Sequence, residues 1–226
     1  ALRVFTARSL YYSMSNTGNG DVFQYADESL RKDREFVLAA VEQDGEALYH
    51  ADESLRKDKE IVLAAVKNGC SLKCADESLK KDKEIFMEAR ENIIAAVEEN
   101  GDALYYADES LKKDRECVLG VVRQNGYLLD TADESFLKDR EIVLAAVQAD
   151  FQGDSALDYA DESLKKDREI VLAAVENNGY ALEYADESLK KDREIVMAAI
   201  KQDSNALEYA SEELQNDPEI KKLAEG

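Results

Sequence analysis

A block close to ADESLKKDREIVLAAV recurs eight times along the chain, and this repetition limits the possible folds more than any other feature. The first alanine of each copy, the block alanine, numbers the repeats 1 to 8 and stands at Ala26, Ala51, Ala75, Ala107, Ala132, Ala160, Ala185 and Ala210. Successive block alanines are 24 to 32 residues apart, most often 25. A unit this short cannot bury its own apolar face, so such repeats stack on their neighbours into a solenoid.

Residues 178–205 show how one repeat is expected to fold. Ala181, Leu182, Ala185 and Leu189 recur at helical spacing and predict a first helix with one apolar face. Asp192 is the expected N-cap of a second helix, whose apolar run predicts burial between its neighbours. The sequence therefore predicts an all-α solenoid of eight helix-turn-helix repeats, with the second helix of each pair more buried than the first.

Insertions and glycines refine this prediction. Seven extra residues in repeat 3, about 86–92, are close to two helical turns and predict a longer second helix. Three extra residues near 150–153 fall in a turn, where insertions are tolerated. In six repeats a glycine stands six residues before the block alanine, which predicts a left-handed cap at the end of the preceding helix.

The two ends of the chain differ from the repeats between them. Residues 1–20 form an arm with Arg3, Arg8 and no acid, which we expect to cap the first repeat or to dock into a partner. Residues 21–226 form the acidic solenoid, and Lys221 and Lys222 make its last repeat a polar cap. Because organelle transit peptides share the arm's composition, and the chain starts without methionine, we expect a plastid or mitochondrial location; the cytoplasm is the alternative.

The net charge of the chain limits the classes of molecule that are expected to bind it. The chain has 50 acidic and 29 basic side chains, a formal net charge of −21. An acidic surface repels nucleic acid phosphates and anionic lipid, so we expect basic protein surfaces, or subunits of a larger assembly, as partners. No stretch approaches the roughly 20 apolar residues of a membrane span, although a peripheral place on a membrane complex stays open.

The repeat resembles a known family. Tyr-Ala-x-Glu-x-Leu, x-x-Asp-x-Glu and Ala-Ala-Val elements recur in order, as in ALEYADESLKKDREIVMAAIKQDSNALEYASEELQNDPEI, and are similar to a short helical repeat catalogued as domain of unknown function 4116. That repeat occurs in tandem arrays in proteins of protists and algae and in some bacterial effectors. The resemblance covers about residues 22–226 and implies the helical-pair fold. It implies no site, because the family has no assigned catalytic residues.

The residues that carry chemistry do not form a recognisable catalytic motif. His50 stands in a column, directly before the block alanine, that is filled in other repeats mostly by tyrosine, so we interpret it as a structural substitute. The paired acids after each block alanine are adjacent in sequence and lack a calcium-loop pattern. Cys70 and Cys74 share a helical face, but the odd cysteine count predicts no disulfide framework. We predict no enzyme, no cofactor and no metal.

Stacking should place the tyrosines of that column in line, each near its equivalent in the next repeat. They either pack half-buried between helices or present an interface. Departures from the repeat are the stronger partner-binding candidates: Phe5, Tyr11, Tyr12, Phe136, Leu137 and Phe151. The leading hypothesis is a non-catalytic scaffold or accessory subunit of a larger complex, with an effector-type module that captures a basic target protein as the alternative.

Overall fold

The computed structural model describes residues 20–99, 102–150 and 155–225. Within these ranges every regular element is an α-helix or a 3₁₀-helix, and none is a β-strand. The chain divides into two compact units, residues 1–95 and 96–226, with the boundary inside one helix, Lys83–Glu99. Each unit is an all-α repeat solenoid, as the sequence predicts.

The second helix is the regular element of every repeat. A capping aspartate precedes each one; Asp167, for example, accepts hydrogen bonds from the backbone N–H groups of Glu169 and Ile170 at 3.0 and 3.3 Å. In chain order the second helices are Arg34–Val41, Lys59–Lys67, Lys83–Glu99, Arg115–Val122, Arg140–Gln148, Arg168–Asn177, Arg193–Gln202 and Pro218–Glu225.

The predicted first helix is divided into two short segments in each repeat. The first segments are Gly20–Tyr25, Gly45–His50, Leu72–Cys74, Ala103–Tyr106, Gly126–Thr131, Ala156–Tyr159, Gly179–Tyr184 and Ser204–Tyr209. A second short segment or a turn follows: Glu28–Arg31, Leu55–Lys57, Glu109–Lys112, Glu134–Lys138, Leu189–Lys191 and Glu212–Gln215 in the repeats where it is helical. In repeat 7 the block alanine Ala185 is extended, and the Asp186 carboxylate accepts from both the backbone N–H and the hydroxyl of Ser188. This local capping competes with a continuous helix and explains the break.

The core consists of aliphatic side chains from both parts of each repeat. In repeat 7 the second helix buries four side chains, Ile195, Val196, Ala199 and Ile200, against two in the first segment, Ala181 and Leu182. In the last repeat the second helix buries only Ile220, but in repeat 7 the second helix is the more buried, as predicted. It is not enclosed on every side, because Met197 and Ala198 stay half-buried.

Neighbouring repeats are joined by backbone hydrogen bonds as well as by their cores. The N–H of Asp186 donates to the carbonyl of Lys165 at 3.0 Å, and Asp161 donates to Leu137 at 2.9 Å. Equivalent bonds join Asp52 to Arg31, Asp76 to Arg56, Asp133 to Lys112 and Ser211 to Lys190. Consecutive repeats inside each unit are therefore held in a fixed register.

The left-handed cap predicted for the glycines is wrong for three of them. Gly69 has a φ of 88°, but Gly45, Gly126 and Gly179 do not have a positive φ. A Cβ on Gly126 would overlap the carbonyl oxygen of Ala146 in the second helix of the same repeat. These glycines therefore permit close approach between the first segment and the second helix of one repeat, which pattern reasoning does not distinguish from a capping role.

The insertion in repeat 3 lengthens the second helix, as predicted. Lys83–Glu99 is a continuous helix of 17 residues, against 8 to 10 in the other repeats. The inserted Asn92 donates from its amide to the carbonyl of Val66 in the preceding repeat at 2.6 Å. Of the other insertion, predicted near residues 150–153, only Asp150 lies within the described residues.

The prediction of no disulfide is wrong for one pair. The sulfurs of Cys70 and Cys74 are joined, and both residues are buried. Tyr180 and Tyr184 occupy the equivalent positions in repeat 7, and their rings contact each other with centroids 5.9 Å apart. The fold of the repeat therefore brings these two positions together. The odd number of cysteines gave no indication of this pairing. The third cysteine, Cys117, is buried.

Candidate functional site: an acidic tyrosine face

The first segments of repeats 5 to 8, in the second unit, share an unusual composition. They contain tyrosines and carboxylates, but none contains lysine, arginine or histidine. We call this set the acidic tyrosine face: Tyr127, Asp130, Asp158, Tyr159, Tyr180, Glu183, Tyr184, Glu208 and Tyr209. In the first unit, by contrast, the corresponding segments include His50 and Lys73.

Ring contacts connect the tyrosines of successive repeats, but in a staggered way. Tyr180 contacts Tyr184 of its own repeat at 5.9 Å and Tyr209 of the next repeat at 5.3 Å, both edge to face. Tyr127 contacts Tyr159 of the next repeat at 5.8 Å. These ring contacts between repeats therefore join a tyrosine of the predicted column to a tyrosine outside it. Tyr159 and Tyr209 contact Tyr127 and Tyr180, which lie four residues before the column position of the preceding repeat. Such edge-to-face geometry is favourable for aromatic pairs.

Nearby carboxylates and burial both raise the pKa values of the tyrosines in this cluster. Hydrogen bonding to Glu183 raises the pKa of Tyr180 to about 12. Burial raises the pKa of Tyr184, and hydrogen bonding to Tyr180 and the charges of Glu183 and Asp158 add to the effect. Burial and Glu208 raise the pKa of Tyr209. The phenols therefore stay neutral at physiological pH and their rings lie in a negative field.

Two carboxylates of the face are poorly compensated. Burial and the nearby Asp102 raise the pKa of Asp130. The Oε2 atom of Glu183 is buried without a hydrogen-bond partner among the described residues. A buried acceptor without a donor is unfavourable, so the negative charge of Glu183 is only partly compensated.

The second unit already contains one cation on a tyrosine. The Lys112 ammonium lies 5.7 Å from the centroid of the Tyr105 ring in repeat 4, directly before the acidic tyrosine face. Tyr105 is 62 % exposed, so its ring remains open to other groups. This contact shows that a first-segment tyrosine accepts a basic side chain by cation–π attraction.

Of the six residues predicted to bind partners, two lie in the described part of the chain. Phe136 and Leu137 are half-buried in Glu134–Lys138, and Leu137 lines a shallow depression together with Tyr159. The predicted apolar exposure is therefore only partial. Phe5, Tyr11, Tyr12 and Phe151 lie outside the described residues.

Sequence reasoning missed the acids two places before the block alanine. Asp130, Asp158, Glu183 and Glu208 hold that position in four consecutive repeats, which is a pattern visible in the sequence. His50 is half-buried. The described residues contain no group of three or more side chains suited to a metal ion. No helix in the described ranges is long and apolar enough to cross a membrane.

Fold and site together define an α-helical repeat protein with a repeated side-chain surface. The family model described as domain of unknown function (DUF4116) matches seven overlapping segments: residues 17–56, 58–89, 90–137, 121–165, 139–190, 167–215 and 192–224. The chain belongs to this family. No curated protein and no solved structure matches it.

Proposed function

We propose that this protein is a non-catalytic scaffold that holds basic segments of partner proteins on its acidic tyrosine face. The observation that carries the proposal is the cluster around Tyr180. Its ring contacts Tyr184 of the same repeat and Tyr209 of the next, and its hydroxyl is hydrogen-bonded to Glu183. A lysine or arginine side chain combines a cation with an apolar stem, which suits carboxylates and aromatic rings together. The arm of residues 1–20 stays a predicted second contact.

The repeat architecture supports a binding role. Equivalent positions recur at regular intervals along a solenoid and form extended surfaces. Four consecutive repeats of the face offer tyrosines and acids without an internal base in their first segments. An extended basic segment therefore meets several similar contacts in succession. The organellar location stays a prediction, because it depends on residues 1–20, of which 1–19 lie outside the described part of the chain.

The test is binding of a fluorescent arginine-rich peptide, followed by anisotropy at several salt concentrations. We expect binding that weakens steeply with salt and no binding of a glutamate-rich peptide of equal length. The double variant Glu183→Gln and Glu208→Gln should weaken binding about tenfold or more, since it removes two negative charges from the acidic tyrosine face. The charge-matched control is Glu42→Gln with Glu176→Gln, two exposed acids outside the face. Equal loss in both double variants, or no peptide binding, would refute the proposal.

A further inference from the structure

Four repeats contain a lysine–glutamate pair with a constant geometry. The lysine five places after the block alanine pairs with the glutamate three places before it, at distances of 2.8 to 3.2 Å. The pairs are Glu77–Lys80, Glu109–Lys112, Glu162–Lys165 and Glu187–Lys190. These lysine side chains are only 14 to 17 % exposed, so their stems lie along the protein. Each of these repeats thus supplies its own cation at this position.

Repeat 5 lacks this cation. Leu137 occupies the lysine position, and Glu134 keeps the glutamate position. The described residues contain no ion pair to Glu134, whereas the four equivalent glutamates each have one. The substitution therefore leaves an acid without the base that the repeat pattern provides.

A depression opens at this place. It has a volume of about 570 Å³ between repeats 5 and 6, and its walls include Glu134, Leu137, Tyr159 and Asp161. Its remaining charges are matched, because Lys138 lies 3.6 Å from Asp161 and Glu162 pairs with Lys165 at 3.1 Å. The free carboxylate, the aliphatic wall and the aromatic ring are the groups that a long basic side chain contacts favourably.

We propose that this depression binds one lysine or arginine side chain of a partner protein, which supplies the cation missing from repeat 5. The inference rests on the proposed function and assigns an anchor point to it. Tyr159 connects the anchor to the acidic tyrosine face, because its ring contacts Tyr127. Leu137 was already a partner-binding candidate from the sequence. In this proposal it matters because it replaces a lysine and leaves Glu134 without that cation, rather than because it exposes apolar surface.

The decisive variant is Leu137→Lys, which restores the repeat's own cation. It should weaken binding of the arginine-rich peptide about tenfold, because the depression is then filled from within. Folding should be preserved, since four other repeats already accommodate lysine at this position. Leu137→Met, which keeps a neutral apolar side chain, should bind like the unchanged protein. Gln202→Lys adds the same charge at an exposed position outside the depression and controls for general repulsion.

The outcomes separate the two proposals. Loss of binding in Leu137→Lys alone supports the anchor. Equal binding by Leu137→Lys and the unchanged protein refutes the anchor, while a continued loss in the Glu183→Gln and Glu208→Gln variant leaves the proposed function standing. Equal weakening by Leu137→Lys and Gln202→Lys refutes the anchor as well. Absence of peptide binding to the unchanged protein refutes both.

Discussion

Arg140 of repeat 5 donates from Nε to the Asp167 carboxylate of repeat 6 at 2.8 Å. Its Nη2 atom donates to Glu169. The same clamp recurs from Arg34, Lys59, Arg115, Arg168 and Arg193 to the aspartate and glutamate of the following repeat. The aspartate of each Asp-Arg-Glu motif therefore caps the second helix of its own repeat, and the arginine joins that repeat to the following one.

The first prediction concerns this clamp. Asp167→Ala removes a helix cap and the arginine's acceptor together, so it should lower the free energy of unfolding by about 1 to 2 kcal/mol. Arg140→Ala removes only the hydrogen bonds between the repeats and should lower the free energy of unfolding by a smaller amount. Unfolding in urea, followed by circular dichroism, measures both changes. Asp158→Ala, at an exposed position, is the control and should be nearly neutral.

The second prediction concerns pH. Hydrogen bonds from the clamp arginines hold the pKa values of Asp58, Asp139 and Asp167 below the ordinary value of 3.8. Because the folded pKa is lower than the unfolded one, these groups contribute full stability above about pH 4 and lose it as the pH falls through the folded pKa.

Unfolding measured in urea from pH 6 to pH 2.5 tests this acid dependence. Asp167→Asn retains a capping side chain but cannot titrate, so its stability should fall less steeply below pH 4 than that of the unchanged protein. A parallel fall in both proteins would show that this carboxylate is not coupled to folding.

The third prediction separates two reasons for glycine. Gly126→Ala should destabilise the protein by about 3 kcal/mol, because the new methyl group overlaps the backbone of Ala146. Gly69→Ala should cost only about 1 kcal/mol, because its Cβ meets nothing within 4 Å and the cost is the left-handed backbone alone. The reverse order in thermal or urea unfolding would contradict the close-approach explanation.

The fourth prediction concerns tyrosine ionisation. Ultraviolet difference absorbance should show a group of tyrosines that resists ionisation until about pH 12, because Glu183 disfavours the Tyr180 phenolate. Glu183→Gln should lower the pKa of Tyr180. Tyr180→Phe identifies its contribution to the titration. An unchanged curve in Glu183→Gln would show that this carboxylate does not control the cluster.

The sequence predicted the helical class, the position of each second helix and the extension in repeat 3, because periodicity and aspartate caps act locally. It did not predict the break at each block alanine, where Asp186 and its equivalents cap a new turn instead of continuing the helix. It also assigned Gly126 to the wrong cause, since its close approach to Ala146 depends on how the first segment packs against the second helix of the same repeat.

The candidate site was less predictable because it depends on tertiary contacts between repeats. The column of tyrosines was visible, but its staggered contacts depend on Tyr180, which lies outside the column. Leu137 was identified as a departure from the repeat. Its relation to Glu134 and Tyr159 required the position of one repeat against the next.

Hydrogen exchange of the full chain with and without the arginine-rich peptide tests the central claim most directly. Binding on the acidic tyrosine face should protect backbone amides in Gly126–Thr131, Ala156–Tyr159, Gly179–Tyr184 and Ser204–Tyr209. The corresponding segment of the first unit, Gly45–His50, should exchange unchanged and serves as the internal control. Protection confined to the second helices, or equal protection of both units, would contradict the account.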